Sequence, residues 1–66
     1  VFRLTNREVE IVRALIQGKS NKNIAEVLVI SEATVEGHLH RIYRKLGVRS
    51  RAQAIVCVLR LGLDNL

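Results

Sequence analysis

Apolar residues recur at three- and four-residue steps along most of the chain, and the polar residues between them fall where helices start and stop. Thr5 and Glu8 form an S/T-x-x-E capping box, in which hydroxyl and carboxylate each accept from a backbone N–H of the helix start. Leu4 before the cap and Val9 inside the helix fit a hydrophobic staple. Ile11, Val12, Leu15 and Ile16 then mark a buried face, and Gly18 ends the helix in the left-handed conformation. A second helix starts at Ser20 and Asn21 and runs to about Leu28, with Ile24, Ala25 and Leu28 inward. So short a helix does not hold alone in water and needs neighbours.

The third segment has the clearest pattern. Ser31 caps it, Glu32 suits the positive end of its dipole, and Val35, Leu39, Ile42 and Leu46 form one stripe. Gly47 closes it, with Arg44 and Lys45 in the last turn, where cations are favoured. A fourth helix starts at Ser50, which pairs with Gln53 as a second capping box, and ends at Gly62. Its Ala54, Ile55, Val58 and Leu61 are expected in the core, while Ala52, Val56, Cys57 and Leu59 lie towards the other side. A helix apolar nearly all round is covered on more than one side. No strand pattern competes. The pattern predicts an all-α, compact four-helix domain containing a helix-turn-helix.

Composition narrows this. The 66 residues make one domain, residues 1–66, and 48% hydrophobic content is too high for a disordered chain. One cysteine, Cys57, gives no disulfide framework. The longest apolar run, Ala54 to Leu59, is far short of a membrane span, and no secretory leader is visible, so no membrane partner and a cytoplasmic location are expected. The lack of any Met reads as a piece cut from a longer protein. The 11 Lys and Arg outnumber 6 Asp and Glu, for a net charge of +5. Distribution matters more. From Gly37 through Leu63 there is no acid, while Arg41, Arg44, Lys45, Arg49, Arg51 and Arg60 fall in that stretch. Such a field points to a polyanion or, more plainly, to a solvated surface.

Lys22 to about Arg44 has the layout of a helix-turn-helix, whose second helix enters the DNA major groove. Ala25 is small where the helices cross, and Val29 stands where many such turns carry Gly. The chain also resembles the LuxR-type helix-turn-helix domain, also called the GerE or NarL/FixJ output domain. The resemblance rests on Leu4-Thr5-Asn6-Arg7-Glu8, Gly18-Lys19-Ser20-Asn21-Lys22, Ile24-Ala25, Ile30-Ser31-Glu32, Thr34-Val35, His38, Lys45-Leu46-Gly47-Val48 and Ser50-Arg51. It covers essentially the whole chain. It implies a four-helix fold, promoter binding as the C-terminal part of a bacterial transcription regulator, and dimerisation through the fourth helix. Glu36 and Gly37 depart from the Lys and the larger residue common in the family, so the resemblance carries DNA binding and not the operator sequence.

With the apolar stripe inward, the outward arc of the third helix holds Ala33, Glu36, Gly37, His40, Arg41 and Arg44. Glu36 can accept from cytosine N4 and His40 can donate to a purine N7. Glu36 reads equally as an ion partner of His40 or a solvated charge. Gly37 allows close backbone approach to the groove or is simply tolerated. Lys22, Arg41, Arg44 and Lys45 are expected on phosphates, and Asn21, Ser31 and Thr34 can add neutral contacts beside their capping roles. Ala52, Val56, Leu59 and Arg60 are the candidates for a weak homodimer contact. The partners expected are double-stranded DNA, a second copy and, as a further candidate, RNA polymerase. Two rival readings are a helical protein-interaction module and a sigma-factor-like promoter-binding region. No cofactor and no enzyme activity are expected. His38 and His40 point to different sides, Cys57 sits among apolar residues, and no phosphate loop or catalytic group is visible.

Overall fold

In the computed structural model residues 3–62 are described, and they form four helices: α1 (Asn6–Ile16), α2 (Asn21–Leu28), α3 (Glu32–Leu46) and α4 (Arg51–Leu61). Each starts where a hydroxyl side chain meets free backbone N–H groups. Thr5, Ser20, Ser31 and Ser50 are the four N-caps, accepting from the N–H of Glu8, Asn23, Thr34 and Gln53. The expected box at Thr5 is complete: Thr5 N donates to Glu8 Oε1 at 2.8 Å and Glu8 N to Thr5 Oγ1 at 3.1 Å. The box expected at Ser50 is displaced by one residue. Gln53 Oε1 accepts from Arg49 N at 2.9 Å instead of from the cap itself. The amide therefore braces the link into α4.

The helix ends share one solution. Lys19 N donates to Ala14 O at 3.1 Å beyond α1, Ile30 N to Ala25 O at 3.0 Å beyond α2, and Val48 N to Tyr43 O at 3.0 Å beyond α3. This closure needs a left-handed residue. Gly18 and Gly47 supply it at φ 80° and 71°, without a Cβ penalty. At the α2–α3 turn the residue is Val29, at φ 57°, the one non-glycine with positive φ among the described residues. Val29 is 88% exposed, so core contacts do not offset the strain of a β-branched side chain there.

The central helix is α3, which packs against all three others, while α1 also meets α4. The core joins Ile11, Val12 and Leu15 of α1, Ile24 and Ala25 of α2, Val35, Leu39 and Ile42 of α3, and Val58 of α4. Burying each aliphatic side chain of this size contributes about 1.5–3 kcal/mol. Leu28, Leu46 and Ile55 pack partly buried on its margin. Leu61 departs from expectation. It is 53% exposed instead of buried, because α4 meets the core through Ala54 and Val58 and its last turn, Leu59 to Leu61, is exposed.

Candidate nucleic-acid interface

The stripe that buries α3 fixes what its other side presents. Val35, Leu39 and Ile42 are inward and buried, and Ala33, Glu36, Gly37, His40, Arg41 and Arg44 are all exposed. Among the described residues, none of Glu36, His40, Arg41 and Arg44 makes an ion pair, so the Glu36–His40 bridge is not formed. A Cβ added at Gly37 would meet nothing within 4 Å. The fold thus gives no packing reason for glycine in mid-helix, where it costs about 1 kcal/mol relative to Ala.

The phosphate candidates divide. Lys22, Arg41 and Arg44 are exposed. His40, Arg41, Tyr43 and Arg44 border a shallow cleft with Val48 and Arg49. Arg49 belongs to this cationic cluster although the sequence did not single it out as a site residue. Its place depends on the path of the α3–α4 link, which periodicity does not encode. Ser31 and Thr34 sit at the exposed start of α3, their hydroxyls 2.8 Å apart. One of their two O–H groups is used between them, leaving one to donate outward.

Lys45 has a task within the fold besides the one expected. Its Nζ lies 2.6 Å from Glu8 Oε1, across a sequence separation of 37. The Glu8 side chain is only 3% exposed and that of Lys45 33%. Burial alone would raise the Glu8 pKa. The bond from Lys45, the Thr5 backbone N–H and the charge of Lys45 together bring it below its ordinary 4.5. Lys45 thus neutralises a buried carboxylate at the α1–α3 seam, with one of its three N–H donors used there. Asn21 is also engaged: its Oδ1 accepts from Arg51 Nη1 at 2.7 Å.

The candidate dimer residues lie away from this arc, on α4. Ala52, Val56 and Arg60 line one groove with Val48, Cys57 and the misplaced Leu61. Leu59 is 52% exposed and lies outside the groove's lining, and Val56 is 49% exposed. Among the described residues no group of three His, Cys, Asp or Glu is placed to hold a metal ion. No helix among them is long and apolar enough to cross a membrane.

Comparison with known proteins agrees with this fold. Residues 3–58 match the family described as GerE, bacterial regulatory proteins, luxR family. The chain is 49% identical over 59 residues to the spore germination protein GerE of Bacillus subtilis, covering 89% of this chain and 80% of that protein. It is 51% identical over 57 residues to the nitrate/nitrite response regulator NarP of Escherichia coli, covering 86% of this chain but 26% of NarP. Among solved structures, the transcription factor GerE matches at TM-score 0.83 and 48% identity, over 91% of this chain and 90% of that one. VqmA of Vibrio cholerae, solved with ligand and DNA, matches at TM-score 0.94 and 36% identity, over all of this chain (100%) and 29% of that one.

Proposed function

This chain belongs to the luxR family of bacterial regulatory proteins, whose helix-turn-helix domains bind DNA in transcription regulation, and we propose that it reads double-stranded DNA with α3 in the major groove. The observation that carries this reading is the exposed arc of α3. It is polar, rich in cations, free of bulky apolar groups and without an ion pair among the described residues. Glu36 and His40 face base edges, and the bare backbone at Gly37 permits close approach. Lys22, Arg41 and Arg44 hold phosphates, aided by Asn21, Ser31 and Thr34 at two helix starts. Arg49 adds to the same field.

The α4 face supplies a two-fold contact through Ala52, Val56, Leu59 and Arg60. An isologous contact places the same patch on both copies and sets two α3 helices at half-sites about one helical turn apart. One helix pair buries little area, and interfaces under ~1,200 Å² are transient. Two Arg60 side chains near the axis weaken the free dimer further. The pair therefore forms mainly on DNA. VqmA has been described as a dimer in the absence of its target DNA, which supports pairing as such and not its dependence on DNA. RNA polymerase remains a partner only in this proposed sense, as a neighbour on the promoter.

Titration of the chain with duplex across a salt series tests the reading. Affinity is expected to fall linearly in log–log form, by about 0.9 per phosphate neutralised. Duplexes with one and two half-sites test the dimer, using Val56→Asp. The variant should retain single-site binding and lose cooperativity on paired sites. Salt-independent binding speaks against phosphate contacts, and unchanged cooperativity removes α4 as the dimer surface.

A further inference from the structure

We propose that Arg51 is a positioning residue for phosphate recognition: by gripping the oxygen of the Asn21 amide it leaves the amide NH2 as the end offered to DNA. The proposal rests on the DNA-binding reading above. Arg51 is the first residue of α4, and no acid stands in that first turn. A cation there opposes the helix dipole, so α4 itself gains nothing from it. The side chain reaches 30 residues back along the sequence instead. Its Nη1 donates to Asn21 Oδ1 at 2.7 Å, and its Nη2 to the carbonyl of Lys19.

These contacts fix the entrance to the helix-turn-helix. The N–H of Lys19 is held by Ala14 O at 3.1 Å and its C=O by Arg51, so this residue is fastened to α1 on one side and to α4 on the other. Ser20 follows as the cap of α2 and Asn21 as its first residue. The α2 helix, at 8 residues, is too short to set its own orientation, so this clamp matters to it.

The chemistry of the two groups fixes which end of the amide is free. Arg has donors only, so it can hold the Asn21 oxygen and not the nitrogen. Phosphate oxygens only accept, so only the nitrogen end can serve DNA. Asn21 Nδ2 has no partner among the described residues, and no buried side-chain nitrogen or oxygen there lacks one. Nδ2 therefore reaches solvent, beside the exposed Lys22 at the start of α2.

A double-mutant cycle on a duplex of about three helical turns tests the role. Asn21→Ala should weaken binding about 3–10-fold in the parent and less than about twofold in an Arg51→Gln background. If the same factor is lost in both backgrounds, Arg51 serves structure alone and the proposal is overturned. The Asn21 side-chain amide resonance gives a second readout. It should shift on duplex addition in the parent and not in Arg51→Gln, and an equal shift in both overturns the proposal. If circular dichroism finds Arg51→Gln unfolded, Arg51→Met replaces it under the same criteria, since it keeps an aliphatic stem and has no donor for the Asn21 oxygen. A parent that binds no duplex overturns the DNA-binding reading itself. A parent that binds while the cycle is additive overturns only the role of Arg51.

Discussion

Arg44 and Lys45 are consecutive cations in the last turn of α3, yet they belong to different regions of the molecule. Arg44 stands on the exposed arc with Glu36, His40 and Arg41, where nothing in the described chain pairs with it. Lys45 turns into the seam with α1 and meets a buried carboxylate. On one side of α3 the cation is paired within the fold, and on the other the charges are left open. The difference teaches that charge in a sequence does not announce its use. The step of about 100° between neighbouring helix positions does that, by sending one side chain to solvent and the next against another helix.

Removing the seam cation should give the largest effect. Lys45→Ala leaves the Glu8 carboxylate buried with only Thr5 as a partner. Breaking a buried pair costs about 3–5 kcal/mol, and partial exposure of Lys45 reduces this to about 2 kcal/mol. In a domain of this size that lowers the melting temperature by roughly 8–16 °C. If the Glu8 pair is the main task of Lys45, the duplex salt slope, corrected for folded fraction, should not change; a lower slope would show that Lys45 also contacts phosphate. Acid sharpens the same point. The folded pKa of Glu8 lies below its unfolded value, so its stabilisation is complete above the ordinary carboxylate range. It is lost as pH falls through the lowered folded value. Thermal melts of Glu8→Gln should lack this loss, and in Lys45→Ala the loss should shrink or reverse, because burial raises the Glu8 pKa once Lys45 is gone.

The open arc should respond in the opposite sense. Gly37→Ala meets no atom and removes a mid-helix glycine, so the fold should gain about 1 kcal/mol. If the backbone at Gly37 approaches the groove, the added methyl should weaken duplex binding in the same variant. A variant that is more stable and binds equally well would show that glycine is merely tolerated there.

How far these two regions could be read in advance differs for a physical reason. All four N-caps, the stripe of α3 and its exposed arc were legible, because each depends on spacing within one helix. Val29 was legible as a departure, and its left-handed φ of 57° gives the departure a cost. Contacts between helices were not legible. Lys45 and Glu8 are separated by 37 residues and Arg51 and Asn21 by 30, and their meeting depends on how helices cross. The exposure of Leu61 has the same origin, since periodicity places it on the inner face but does not say where the neighbouring helices end. Arg49 escaped because a link has no period to read.

Arg44→Ala should have the smallest effect on the fold and isolates the open region. Its side chain makes no ion pair among the described residues, so the melting temperature should change by what a surface substitution gives, within about 0.5 kcal/mol. The cost of losing a favourable cation in the last turn of α3 falls in the same range. DNA binding should change much more. Loss of one phosphate contact reduces the log–log salt slope by roughly 1 and weakens all duplexes alike, because a phosphate carries no sequence information. A motif selected from random duplexes should therefore be the same for Arg44→Ala and the parent. An altered motif would move Arg44 from the phosphates to the base edges. An unchanged slope would remove it from the interface, and the contrast with Lys45 would then rest on the fold alone.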